Sequence, residues 1–110
     1  MSDLTRTEVI KLIAIANKPL NLRGVNLEEV DLSYLDLSGA NLSYTNFTKA
    51  NLENAGLTGA DLTGADLYKA NLTGADLSGA NLTGAIFSGA KLIRADLSGA
   101  SLIGVIGYKK

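Results

Sequence analysis

Ala60-Asp61-Leu62-Thr63-Gly64 is the unit from which the rest of the chain can be read. The same five-slot pattern runs from Leu20 to Gly104. Its central slot falls at residues 22, 27, 32 and onward to 102, and those 17 sites hold 15 leucines plus Phe47 and Phe87. Two residues earlier, 12 sites are alanine, the exceptions being Leu20, Val25, Val30, Leu35 and Thr45. Asn or Asp usually stands between the two, Ser or Thr commonly follows the leucine, and Gly often closes the unit.

A period of five suits neither the roughly 3.6-residue turn of an α-helix nor the roughly 3.5-residue repeat of a coiled coil. Because five is odd, a flat strand would turn its leucines to the opposite face at every repeat. The chain must therefore bend once per unit. Each unit is a very short extended piece plus a corner, with leucine and the preceding alanine inward and the Asx side chain outward. Stacked coils then satisfy the backbone through hydrogen bonds to the coils above and below.

The corner residues say how many units close a coil. Sorted at a spacing of 20, the column 39/59/79/99 is entirely Gly, and the column 24/44/64/84/104 is Gly except for Tyr44. The other two columns hold Gly only at 89 and 74, and otherwise carry Glu29, Lys49, Lys69, Tyr34, Asn54 and Arg94. A spacing of 15 blurs this segregation, and the two Phe centres lie 40 residues apart. Four units per coil and about four coils follow, which is an all-β solenoid of square section.

The tandem A-(D/N)-L-x-x pattern over residues 20–104 resembles the pentapeptide-repeat proteins. That resemblance implies a right-handed quadrilateral β-helix. The pattern departs from the family at Gly56, Ile86, Lys91 and Ser101 in the Asx slot and at Thr45 in the alanine slot. Inward leucines fill the core, and the alanines must be small because they sit at crowded corners. The Asn and Asp side chains are expected to bond local backbone rather than to form a calcium ladder. No calcium-loop motif interrupts the repeat.

An open solenoid end exposes core and unpaired edge, so a lid is expected before residue 20. Thr5-Arg6-Thr7-Glu8 fits a capping box, with Leu4 and Val9 set for a hydrophobic staple. Val9, Ile13 and Ala16 share a helical stripe, joined by Ile10, Leu12 and Ile15. Asn17 is the expected C-terminal cap and Pro19 the stop. The helix should lie near Leu20, Val25, Val30 and Leu35, the larger inward residues of the first coil. The expected division is a capping helix at 1–19, the repeat at 20–104 and a tail at 105–110. The tail is too short for a second helical lid; Tyr108 folded over that end as a minimal plug is one way to close it, and tail-to-tail self-association fits better. Outward slots there turn apolar at Ile86, Ile93, Ile103 and Ile106. With Tyr108, they form a candidate tail-to-tail self-association end.

Composition narrows the function. The chain has 110 residues, 46% hydrophobic and 5% aromatic, with no His, Cys or Trp. Imidazole and thiol catalysis, thiolate or imidazole metal sites and disulfides are thereby excluded. Asp36, Asp76 and Asp96 share one face, with Asp61 and Asp66 on neighbouring ones, but they recur with the repeat rather than converge on a pocket. A leucine-filled column offers no cleft for small-molecule chemistry. The expectation is a protein that is not an enzyme and has no cofactor and no metal.

The net charge of −1 gives no bulk field for nucleic acid or anionic membrane, so neither is an expected partner. The sequence shows neither a secretory leader nor a membrane span, and a cytoplasmic setting is expected. The family resemblance implies one activity to weigh, DNA-mimic binding of DNA gyrase or topoisomerase. Residues 20–104 carry nine acids against five bases, a difference of −4. A duplex of about 20 Å would show roughly a dozen negatives. Ser38, Thr58, Ser78 and Ser98 form a hydroxyl row that raises ice binding as a minor alternative. The preferred reading is a non-enzymatic module or scaffold that contacts an unidentified protein partner. Its candidate face is Glu29, Tyr34, Lys49, Asn54, Tyr68, Lys69, Lys91 and Arg94, where the corners depart from glycine.

Overall fold

The computed structural model describes residues 2–16 and 19–108. From Asn21 onward each Asx-slot residue pairs in parallel with the residue 20 positions later, as Asn21 with Asn41, Asp61 with Asn81 and Ile86 with Ile106. Four five-residue units therefore make one coil, as the corner columns require. Coil joins coil through three repeating bonds: Leu22 N–H donates to the Asn41 carbonyl at 2.8 Å, Gly24 N–H to the Ser43 carbonyl at 3.0 Å, and Asn41 N–H to the Leu20 carbonyl at 2.8 Å.

Every unit closes with the same turn. The N–H of the next alanine-slot residue donates to the central residue's carbonyl three positions back, as Ala65 to Leu62 at 3.0 Å. The third residue of each turn has positive φ, between 55° and 72° at all the corners from Gly24 to Gly104. A turn with positive φ at its third position alone is type II, which glycine adopts without strain. Seven corners use another residue there: Glu29, Tyr34, Tyr44, Lys49, Asn54, Lys69 and Arg94.

The core forms as the period of five requires. Central residues from Leu22 to Phe87 are buried, and so are the alanines from Ala40 to Ala85. Thr45 is tolerated in an alanine slot because its buried hydroxyl donates to the Leu22 carbonyl at 2.8 Å. In the last coil Leu92, Leu97 and Leu102 are only partly buried, since no further coil covers them among the described residues.

Before the column lies α1 (Arg6–Ile15). Its capping box is closed on both sides: Glu8 N–H donates to Thr5 Oγ1 at 3.2 Å, and Thr5 N–H to Glu8 Oε1 at 2.8 Å. Val9 is wholly buried with the column's core, and Leu4, Leu12 and Ile13 pack against it. Ile10 and Ile15 do not join that stripe; Ile15 is 76% exposed. At about 100° per residue Ile15 projects to the far side from Val9 and Ile13, and Ile10 lies on the flank of their stripe. The helix ends at Ala16 in extended conformation, and the expected cap at Asn17 lies outside the described residues.

The segment before α1 also pairs with the first coil's edge. Asp3 N–H donates to the Asn26 carbonyl at 2.6 Å, while Asn26 N–H donates to the Asp3 carboxylate at 2.8 Å. Arg6 adds a bond to the Asp31 carbonyl at 3.0 Å and an ion pair with its carboxylate at 3.4 Å. Asp3 thus takes the place that a preceding coil's backbone would hold.

Candidate interaction surface

The outward Asx side chains serve the fold. All thirteen Asn and Asp residues in that slot accept the N–H two residues later through Oδ1, at 2.9–3.1 Å. This is the Asx turn, which aims each piece of chain into its corner. The hydroxyl of that same residue often donates to the same oxygen, as Ser78 does to Asp76 at 2.6 Å. Hydrogen bonds from Ser33, Ser78 and Ser98, side chain first and backbone second, hold Asp31, Asp76 and Asp96 below the ordinary carboxylate range. The register puts Asp36, Asp76 and Asp96 on one face and Asp61 on the adjacent one. Asp66, ten residues before Asp76, belongs to the opposite face, not a neighbouring one. These carboxylates do not converge, and no three acids sit where they could hold a metal among the described residues.

One concavity departs from the expectation of a surface without a cleft. A groove of about 500 Å³ opens where α1 meets the first coil, lined by Ile13, Ala16, Pro19, Leu20 and Leu37 among others. It exists because a helix cannot follow the flat end of a square coil. Among the described residues, Asp36 is the one titratable group lining it.

The eight candidate face residues are all exposed. Six sit at the two adjacent corner columns that hold one glycine each: Glu29, Lys49 and Lys69 on one, Tyr34, Asn54 and Arg94 on the next. Tyr68 adjoins Lys69, whose ammonium lies 5.3 Å from its ring centroid, and Lys91 stands on the face between the columns. Two of these side chains, Lys69 and Asn54, reach over the corner of the following coil. A Cβ at Gly89 would come within 2.9 Å of Lys69 Cγ, and one at Gly74 would collide with Asn54 Oδ1. Glycine at 89 and 74 makes room for Lys69 and Asn54, whereas Glu29, Tyr34 and Lys49 are followed one coil later by Lys49, Asn54 and Lys69.

Reasoning from sequence left Tyr44 off the surface, although it breaks an otherwise all-glycine column. Tyr44 is exposed, its ring lies 4.7 Å beneath the Arg23 guanidinium, and it extends over Gly64. Arg23 also donates to Ser43 Oγ at 2.8 Å. The stack gives a third corner a flat, cation-topped ring.

At the far end, Ile86 and Ile106 pair on one face, while Ile93 and Ile103 are 61% and 73% exposed. Gly107 falls where the next central residue would stand, at φ 74°, and turns the chain across the end. Tyr108 then lies on Phe87 with ring centroids 6.0 Å apart at 57°, in the position of a plug. The N–H groups of Leu92, Arg94, Leu97, Gly99, Leu102 and Gly104, which would bond a following coil, meet no backbone carbonyl among the described residues.

A filled four-cornered column whose individual chemistry is carried on its corners defines a five-residue repeat solenoid. The family described as "Pentapeptide repeats (8 copies)" matches over residues 21–59, 36–74 and 70–106. The chain belongs to the pentapeptide repeat family. Comparison with curated proteins returned no match. Among solved structures, a pentapeptide repeat protein of the Arabidopsis thaliana thylakoid lumen is 43% identical, with a TM-score of 0.67 over 76% of this chain and 54% of its own. A pentapeptide repeat protein from Nostoc PCC 7120 is 32% identical, with a TM-score of 0.76 over 89% of this chain and 93% of its own. QnrB1, a plasmid-mediated fluoroquinolone resistance protein, is 22% identical, with a TM-score of 0.40 over 80% of this chain and 46% of its own, and at that distance carries nothing over. The chain thus spans about half of the first protein and nearly all of the second. No helix among the described residues is long and apolar enough to cross a membrane.

Proposed function

We propose that this protein is a non-enzymatic interaction module that presents two adjacent corner columns to a protein partner. The observation that carries the reading is backbone conformation. Glu29, Tyr34, Lys49, Asn54, Lys69 and Arg94 hold positive φ on those columns, where glycine would be free of strain. Side chains kept at a conformational cost, all exposed and gathered on one side, are what a recognition surface requires. The corner column 39/59/79/99 carries glycine alone.

In this reading the coil winds right-handed, α1 with its preceding segment is the lid, and residues 20–104 are the functional unit. A cytoplasmic setting belongs to the same proposal, and fractionation of the native cell tests it. A photo-crosslinking residue placed at Tyr34 or Lys69, with a control at Ser98 on the glycine side, tests the surface in native extract. Discrete adducts from the first two positions and none from the third are expected. The same adducts from all three positions would refute it.

Self-association through the far end is a second reading, favoured by the row of N–H groups that meets no backbone carbonyl among the described residues and by the exposed Ile93, Ile103 and Ile106. A second copy would cover both the edge and the isoleucines. Light scattering during size exclusion should give a dimer mass for the natural sequence and a monomer for I103E/I106E. A strict monomer at high micromolar concentration removes the dimer.

A further inference from the structure

The two ends of the column carry opposite halves of one hydrogen-bond pattern. Each face of a coil offers the following coil one carbonyl and two N–H groups, as Leu20 C=O, Leu22 N–H and Gly24 N–H do. The following coil meets them with one N–H and two carbonyls, those of Asn41 and Ser43. The far end is therefore an edge rich in donors. Tyr108 lies on Phe87 and covers one face. On the other three, the N–H groups of Leu92, Arg94, Leu97, Gly99, Leu102 and Gly104 and the carbonyls of Ala90, Ala95 and Ala100 meet no backbone partner among the described residues. Two such ends brought together would still hold twice as many donors as acceptors. An edge rich in carbonyls matches it in full, and the repeat gives the first coil that edge.

In this chain the carbonyl edge is covered. Asp3 N–H donates to the Asn26 carbonyl and the Arg6 guanidinium to the Asp31 carbonyl, where N–H groups of a preceding coil would donate. Val9 fills the column at that end. The cover is uneven, however. It is pinned on the faces of Asn26 and Asp31, and on the next face it stands off from Leu37 and Ser38 to leave the groove of about 500 Å³.

We propose that the far end binds the first coil of a second copy, head to tail, and that α1 with its preceding segment is the stop that limits this stacking. With the stop displaced, Leu22, Leu27, Leu32 and Leu37 of one copy rest on Leu92, Leu97 and Leu102 of the other, in the register that joins coils within the chain. Contact between two different surfaces stacked along one axis does not close, so the product is an open filament. Each copy adds about 20 Å, four coils at about 4.8 Å. This rests on α1 being the lid, goes beyond the corner surface, and claims the edge that a tail-to-tail pair would use.

Val9→Asp in the full-length chain tests it by placing a carboxylate where the lid is most deeply buried. Sedimentation and electron microscopy should find V9D in unbranched filaments and the natural protein in none. The natural chain has a bare far end and a covered first coil, so an excess of it should cut V9D filaments down to particles of two chains, one of each. L97K/L102K in an otherwise natural chain puts charge on the stacking end and should not cut them. D3P/R6A removes both pins without touching the core; it should assemble and be cut in the same way, and it carries the test if V9D loses its folded circular dichroism spectrum. A lid variant that stays folded, melts lower and remains monomeric would overturn the stacking alone, whereas an unchanged melt for V9D would overturn the lid as well. Assemblies indifferent to the natural chain would overturn the proposal in favour of bare first coils adhering to one another. A natural protein that is a stable tail-to-tail dimer and cuts no filaments would overturn it too.

Discussion

Three Gly→Ala substitutions separate what the corner conformation costs from what the side-chain stacking costs. Gly79 and Gly64 both sit at φ near 67°, but a Cβ at Gly79 meets nothing within 4 Å, whereas one at Gly64 comes within 2.5 Å of Tyr44 Cε1. A non-glycine residue in the left-handed region costs about 1–2 kcal/mol. Alanine recovers about 0.4–1 kcal/mol of that by restricting the unfolded chain. Gly79→Ala should therefore destabilise by about 0.5–1 kcal/mol. Gly64→Ala must also lift Tyr44 and break its stacking under Arg23, a further loss of about 0.5–1 kcal/mol. In a Tyr44→Ala background the Gly64 substitution should cost no more than the Gly79 one, because the obstacle is gone. Gly107→Ala is the severe case: its Cβ would lie 2.8 Å from Ser88 N and Cα, which are backbone and cannot swing away. The turn that carries Tyr108 onto Phe87 would open, with a loss of about 2 kcal/mol or more. Urea unfolding followed by circular dichroism measures all four variants. Equal costs at Gly64 and Gly79, unchanged by Tyr44→Ala, would refute the claim that Tyr44 needs glycine at position 64, one coil later.

Other expectations concern the core, the lid and the acid range. Leu62→Ala, at a wholly buried site, should cost about 2–5 kcal/mol, Leu102→Ala in the half-covered last coil clearly less, and Thr63→Ala little; equal effects at Leu62 and Thr63 would remove the inward–outward assignment. Thr5→Ala should cost about 1 kcal/mol by opening the capping box, and Glu8→Gln should preserve it, as thermal melts of both variants can check. Asp31, Asp76 and Asp96 have folded-state pKa values below the 3.8 of the free side chain. Their stabilisation is therefore fully present above that value and is lost as pH falls below it. The melting temperature should hold from neutral pH to about 5 and then decline, and D31N/D76N/D96N should flatten the decline, because an amide oxygen still accepts both bonds.

Much of the surface was legible before the structure because it follows from register. Once Gly39, Gly59, Gly79 and Gly99 are seen to align at a spacing of 20, the position of every other residue around the column follows, including Lys91 relative to Lys69. Tyr44 was missed because its significance lies in the side chain's reach over Gly64 and under Arg23, and neither contact is local in sequence. The exposure of Ile15 was hidden for a different reason. An apolar residue on a short helix counts toward a stripe until the direction of the packed face is known, and that direction is set by the first coil.

From the sequence alone came the bend at every fifth residue, the four units per coil and the inward leucines. These depend only on alternation and on which residues tolerate positive φ, and both are short-range properties. Tertiary structure alone decided how the ends are closed: Asp3 pairing with Asn26, Arg6 reaching Asp31, and Tyr108 turned onto Phe87 by Gly107. Repetition specifies the middle of a stack because each coil meets a copy of itself. At an end there is no copy to meet, so the chain must improvise with whatever residues lie within reach.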